Sequence, residues 1–252
     1  MRREPIAELR ALIDPEALWK VTLRPWDWSY GYKTSTKEWQ KLLAQAKQGD
    51  AEAEWVVADC YEDGCKDKRG RIVVKRSSKR AAWWFRRAAE HGNSSAQNSL
   101  GNLLSNGNGI KKNIDEAFKW YKKALSGGDS IAAHNIAVTY REIGNYTAAV
   151  RWFQRCARKG DGSALLQLGI HYYWGKGVRK DSKAAVRCFR GSVRSKDISE
   201  GDRDDAFFLL GLAHYEGTGV RASLPKAVKH FERANIEDDN PTAREFLRRL
   251  KA

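Results

Sequence analysis

A chain of 252 residues with 42% hydrophobic and 31% charged residues has apolar content enough for a buried core, and it has no apolar run long enough to span a bilayer. Its 46 Lys and Arg against 31 Asp and Glu leave a formal net charge of +15, a field that favours acidic partners, whether nucleic acid, anionic membrane or acidic protein. Four cysteines (Cys60, Cys65, Cys156, Cys188) without dense spacing read as free thiols in a reducing compartment and not as a disulfide framework.

The N-terminal stretch "MRREPIAELRALIDPEALWK" carries charges every few residues and lacks the apolar centre of a signal peptide, so the expectation is a soluble, cytoplasmic protein. Residues 1–35 read as a helix followed by an aromatic-rich, non-periodic arm, "WKVTLRPWDWSYGY" at 19–32, which either folds back on the chain or grips a partner. In "STKEWQKLLAQAKQGD", Ser35 with Glu38 three residues later is a capping-box pair. Trp39, Leu42, Leu43 and Ala46 then give a helical apolar face that reads as a half-unit covering one end of a stack.

The rest of the chain is periodic. "GNGIKKNIDEA" at 107–117, "GKGVRKDSKAA" at 175–185 and "GTGVRASLPKA" at 217–227 share one spacing, and three copies are not a single phosphate-binding glycine loop. Upstream of each runs a helix-like segment. Taking Ala58, Gly101, Ala137, Gly169 and Gly211 as equivalent, the steps are 43, 36, 32 and 42 residues. Downstream, Ala81, Ala117, Ala149, Ala185 and Ala227 align, followed by Phe85, Tyr121, Phe153, Phe189 and Phe231 four residues on; the i, i+3, i+4, i+7 spacing marks one apolar helix face. Each unit is therefore two helices. The glycines supply a left-handed stop for the first helix, and Gly49, Gly92, Gly128, Gly160 and Gly201 begin the turns between units. The first unit carries an insertion. The third, around "YREIGNYTAAV", is shortened and lacks Gly-x-Gly.

This pattern of A-x-x-x-L-G, G-x-G-V/I and A-x-x-W-Y/F-x-x-A resembles Sel1-like repeats, relatives of tetratricopeptide repeats, over roughly residues 36 to 240. The resemblance implies an all-α fold, a right-handed α-solenoid of helix-turn-helix units, with residues 36–240 as about five repeats and 241–252 as a C-terminal capping helix. It also implies a protein-protein adaptor with no catalytic machinery and no cofactor. An immunity protein that neutralises a toxin or effector is one role served by such proteins. The third unit looks more like a tetratricopeptide repeat.

By the same resemblance, variable first-helix positions line a concave groove, which selects Asn98, Asn102, Ser105 and Asn106, then His134 and Arg141, then Tyr173 and Trp174. Asn and Arg can hold an extended segment, and Tyr and Trp supply contact area. Trp83 and Trp174 stand where the other units place polar residues, so both are expected to face solvent as binding anchors, with packing against a neighbouring loop as the bland alternative. The stretch from Cys65 to Arg87 holds ten Lys or Arg and one Asp. Its basic patch is Arg71, Lys75, Arg76, Lys79 and Arg80, and "RIVV" within it has strand character. An acidic protein or peptide is the expected partner. Nucleic acid, attracted by the basic residues and stacked on the aromatics, is the alternative. No P-loop, HExxH or GxSxG occurs, and C-x4-C with scattered histidines does not make a metal site.

Overall fold

Side-chain caps and glycines divide the chain into short helices, as seen in the computed structural model, which describes residues 34–234 together with 244, 247, 248 and 250. The aromatic arm at 19–32 lies outside the described residues. Two compact units meet in sequence between Glu142 and Ile143, in the shortened turn of the third repeat.

The unit spanning 27–142 contains α1 (Thr36–Lys47), α2 (Ala51–Asp63), strands β1 (Cys65–Lys66) and β2 (Ile72–Val74), α3 (Ser78–Glu90), α4 (Ser94–Asn106), α5 (Ile114–Ser126) and α6 (Ile131–Glu142). The Ser35 capping box forms: its hydroxyl accepts from the Glu38 amide at 3.2 Å, and the Glu38 carboxylate accepts from the Ser35 amide at 2.7 Å. Asp50 and Asn93 cap α2 and α4 by accepting from amides of the first turn, which satisfies donors that a helix start leaves open. In the unit containing 143–252 the helices are α7 (Tyr146–Ala157), α8 (Gly162–Trp174), α9 (Ser182–Arg194), α10 (Glu200–Glu216) and α11 (Leu224–Arg233). Leu247 and Leu250 pack against the core of this unit.

The repeated apolar face is the core. Phe85, Tyr121, Phe153, Phe189 and Phe231 are fully buried, as are Ala81, Ala117, Ala149, Ala185 and Ala227. Two glycine positions explain how closely the helices approach. On the first helix of a pair, a Cβ at Gly101, Gly169 or Gly211 would sit 2.4 to 2.5 Å from the ring of Tyr121, Phe189 or Phe231, so the aromatic of the second helix occupies the space a side chain would need. The second glycine of each Gly-x-Gly has a positive φ and lies against the backbone at the start of an earlier helix: Gly109 on Ser78, Gly177 on Tyr146 and Gly219 on Ser182. The glycine motif is thus a packing contact between successive helix pairs.

The all-α expectation holds apart from the antiparallel hairpin β1–β2 in the first-unit insertion, with Cys65 paired to Val74 and Lys66 to Ile72. One turn differs from expectation. Gly201 lies inside the first turn of α10, which Ser199 caps, and the connection from α9 runs through Ser195 and Asp197, whose carbonyl accepts from the Gly162 amide. "GD" at 201–202 imitates the other turns, but the Ser199 hydroxyl takes the cap position two residues earlier.

In the last repeat, His230 stands where the other units have Trp84, Trp120, Trp152 and Cys188, and His214 stands where they have Tyr61, Leu104, Tyr140 and Tyr172. The two imidazoles stack with centroids 5.4 Å apart and planes at 12°, and Phe207 stacks on His230. Burial pushes both below the ordinary histidine value, His230 to about 4, with His214, Arg233, Arg190 and Lys229 adding to the effect on His230.

Two outcomes are expected. Gly219→Ala and Gly160→Ala both put a side chain at positive φ, but only the first meets backbone, at 2.2 Å, whereas Gly160 faces open space. Gly219→Ala should therefore cost about 1–3 kcal/mol more in denaturant unfolding. At His230 the unfolded chain takes up a proton below about pH 6.5 while the folded chain resists until about pH 4, so stability is lost as pH falls through that window, and His214, also lowered, acts in the same direction. The loss from His230 is at most about 3 kcal/mol, and unfolding followed against pH should be flatter for His230→Trp than for the native chain.

Candidate binding faces

The hairpin is organised around its one acidic residue. Asp67 accepts from the amides of Arg69 and Arg71 and from Arg71 Nε at 2.7 Å, which closes the turn and holds the Asp67 carboxyl below the usual range. The Ser77 amide donates to the Tyr61 carbonyl at 2.7 Å, and Arg80 lies over the Tyr61 ring at 5.5 Å. This arrangement leaves Lys75, Arg76, Lys79 and Arg80 on the surface. Ile72 is 63% exposed and Trp83 53% exposed. The Trp83 ring meets Trp84 edge to face at 4.6 Å, and the Arg87 guanidinium lies 5.0 Å from its centroid.

Arg86 and Arg87 are structural. Glu54, fully buried on α2, contacts Arg87 Nη2 at 2.9 Å and His91 Nδ1 at 2.7 Å. Its equivalents in the other units are Gln97, Ala133, Leu165 and Phe207, so this carboxylate is particular to the first repeat. A buried carboxylate needs such partners. Arg86 reaches Glu116 at 2.9 Å and ties α3 to α5. The exposed charge available to a partner therefore centres on the hairpin and the start of α3.

The first-helix face of the same unit is a polar network. Asn135 donates to Asn98 Oδ1 at 2.8 Å, Tyr121 Oη donates to Asn102 Oδ1 at 2.7 Å, and Ser105 Oγ lies 3.2 Å from Tyr121 Oη. Asn98, Ser105 and His134 are buried, Arg141 is 3% exposed, Asn102 is half-buried and Asn106 is exposed. The expectation that this whole row lines an open surface is thus corrected for Asn98, Ser105, His134 and Arg141. Their side chains are covered, and those of Asn98 and Ser105 are hydrogen-bonded to neighbouring helices. Asp59, Glu62 and Asp63 occupy the matching positions of α2, where the repeat register places them. Burial, then the neighbouring carboxylates, pushes Asp59 up to about 6 and Glu62 up to about 7. An acidic partner is not favoured on that part of the face.

In the unit containing 143–252, Tyr173 is 8% exposed, and its hydroxyl donates to Glu216 at 2.8 Å. Trp174 is half-buried, edge-on to Tyr173 at 5.0 Å and packed against the core. The solvent-facing position expected for Trp174 is therefore a packed one. His171 is fully buried, with Nδ1 2.7 Å from the Lys176 carbonyl and its ring beside Tyr146 and Phe153. Among the described residues no group of three or more His, Cys, Asp and Glu could hold a metal, and no helix is long and apolar enough to cross a membrane.

The Sel1 repeat pattern matches residues 51–93, 94–129, 162–190 and 205–238, and a tetratricopeptide repeat matches 131–159, the shortened third unit. Among solved structures, a protective antigen present in uropathogenic Escherichia coli strains and displaying an SLR fold is 29% identical with a TM-score of 0.70, over 86% of this chain and 44% of that one. A Sel1 repeat protein from Oxalobacter formigenes is 27% identical with a TM-score of 0.66, over 84% of this chain and 80% of that one. The ERAD-associated E3 ubiquitin-protein ligase component HRD3B of Arabidopsis thaliana is 33% identical over 100 residues, which is 39% of this chain and only 16% of that relative. With four copies of its pattern covering more than half of the residues, the chain belongs to the Sel1 repeat family, whose helix pairs are protein-interaction modules.

Proposed function

We propose that this chain is a non-catalytic interaction module that takes an acidic protein segment on the basic, tryptophan-bearing face formed by the hairpin and α3. The observation that carries the reading is Trp83, half exposed amid the densest run of positive charge in the chain. An exposed tryptophan ringed by charges of one sign is the composition of a binding hot spot for a partner of the opposite sign. Arg71, Lys75, Arg76, Lys79 and Arg80 would steer and orient the acidic segment, and Trp83 with Ile72 would supply apolar area. A toxin or effector with an acidic surface is one partner this face would fit, which would make the chain an immunity protein. The non-catalytic reading is supported by the packing roles of the glycine motif and of buried His171, features that in isolation resemble active-site parts.

Nucleic acid is the lesser reading. Base stacking needs an open ring face, and the Arg87 guanidinium, held by buried Glu54, already lies over Trp83. Recovery of partners by the full chain from its native host at moderate salt, with nuclease added, separates the two. An acidic protein should survive nuclease and bind about tenfold or more weakly to Trp83→Ala. Joint replacement of Lys75, Arg76, Lys79 and Arg80 by Ala should weaken binding and flatten its salt dependence. Recovery of nuclease-sensitive material alone would establish the nucleic-acid reading instead.

A further inference from the structure

Cys60 and Cys65 are 1% and 2% exposed and stand on either side of Gly64, where α2 stops and the hairpin begins. Gly64, at φ 78° and ψ 152°, turns the chain back so that Cys65 lies over the last turn of α2, with its sulfur 3.9 Å from the Cys60 carbonyl oxygen. Both side chains belong to one buried cluster. They form a small core with Val74, the residue paired with Cys65 across the hairpin. Cys156 and Cys188 sit on separate helices, and burial pushes their thiols up to about 12 and about 11. The neighbouring Cys60 side chain holds the Cys65 thiol below the ordinary value, against burial and the Asp59 and Asp63 charges. Cys65 is therefore the better nucleophile of the four.

We propose that Cys60 and Cys65 are an oxidation site, forming a reversible disulfide that staples the first strand of the basic hairpin to the end of α2. The oxidant is a small peroxide. The Cys65 thiolate attacks one peroxide oxygen, forming an S–O bond as the O–O bond breaks, and the departing oxygen takes a proton and leaves as water. Cys60 sulfur then attacks Cys65 sulfur, and the S–O bond breaks. The hydroxide released takes the Cys60 proton as a second water. Two thiols lose two electrons, and the peroxide gains them. A dithiol reductant reverses the change by becoming a disulfide itself. Because the hairpin carries Arg71, Lys75 and Arg76, stapling fixes the geometry of the face to which an acidic partner is assigned. That regulatory meaning rests on the proposed function; the disulfide does not.

The full chain is treated with hydrogen peroxide, then mapped by mass spectrometry and digested briefly with trypsin, for which Lys66, Lys68, Arg69, Arg71, Lys75 and Arg76 are cleavage points. The expected result is loss of two hydrogens confined to a Cys60–Cys65 crosslink. Cleavage within 66–76 should slow about fivefold or more, and dithiothreitol should restore it. Cys60→Ser and Cys65→Ser should show no change in cleavage on oxidation, with the unoxidised Cys60→Ser chain serving as a check that the hairpin still folds. Accumulation of Cys65 as sulfinic acid, a crosslink to another chain, or a disulfide that leaves cleavage unchanged would each overturn the proposal. If the disulfide forms and slows cleavage while binding of an acidic partner is the same in both states, the assignment of the docking face fails and the oxidation site stands.

Discussion

Close approach between paired helices is the constraint on which the rest depends. Gly101, Gly169 and Gly211 leave room for the rings of Tyr121, Phe189 and Phe231 to lie almost on the backbone of the partner helix. That contact buries an aromatic side chain in each pair, a large apolar contribution for a short element. It also fixes the spacing at which the second glycine of Gly-x-Gly meets the start of an earlier helix. A side chain at Gly109, Gly177 or Gly219 would collide with that backbone. Short helices, each marginal alone, are stable because their apolar faces are shared in this way.

Charge is laid over that frame unevenly. The stretch from Cys65 to Arg87, which runs from the hairpin into α3, carries most of the excess positive charge, and Asp67 closes the turn of the hairpin within it. Two of the basic residues, Arg86 and Arg87, are drawn into the fold by Glu116 and Glu54. On the first-helix face of the same unit the character reverses, with Asp59 and Glu62 partly desolvated beside exposed Asp63, and Asn98, Asn102, Ser105 and Tyr121 hydrogen-bonded among neighbours. The positive charge that reaches the surface of this unit is thus concentrated on the hairpin and α3, the face to which the proposal assigns an acidic partner.

The sequence made the repeats legible because the physics that repeats is local. Caps such as Asp50 and Asn93, the apolar period from Ala117 to Tyr121 and Ala124, and the spacing of the glycines can be read within a few residues. Non-local packing is less legible in the sequence. Helical register placed Asn98, His134 and Arg141 on a common face, but the closeness of adjacent helices that buries them is not a property of one helix. Trp174 stands at a position that is polar in other units, yet it packs beside Tyr173 on a core that register alone does not outline. The acidic residues Asp59, Glu62 and Asp63 stand in register with Asn102, Ser105 and Asn106, a local signal legible from the repeat alignment. The meeting of Cys60 and Cys65 depends on the path through Gly64, which a C-x4-C spacing does not specify. Gly201 shows the converse, a local turn signal overruled by a nearby Ser cap.

The most direct test of the account is a lysine-reactive footprint of the full chain with and without a partner protein recovered with it from its host. Lys75 and Lys79, beside the hairpin and on α3, should lose reactivity in the complex, while Lys122 on α5, outside the residues assigned to the face, should keep its own. Full reactivity at Lys75 and Lys79, with shielding at Lys122, would place the partner elsewhere and contradict the assignment of the basic face.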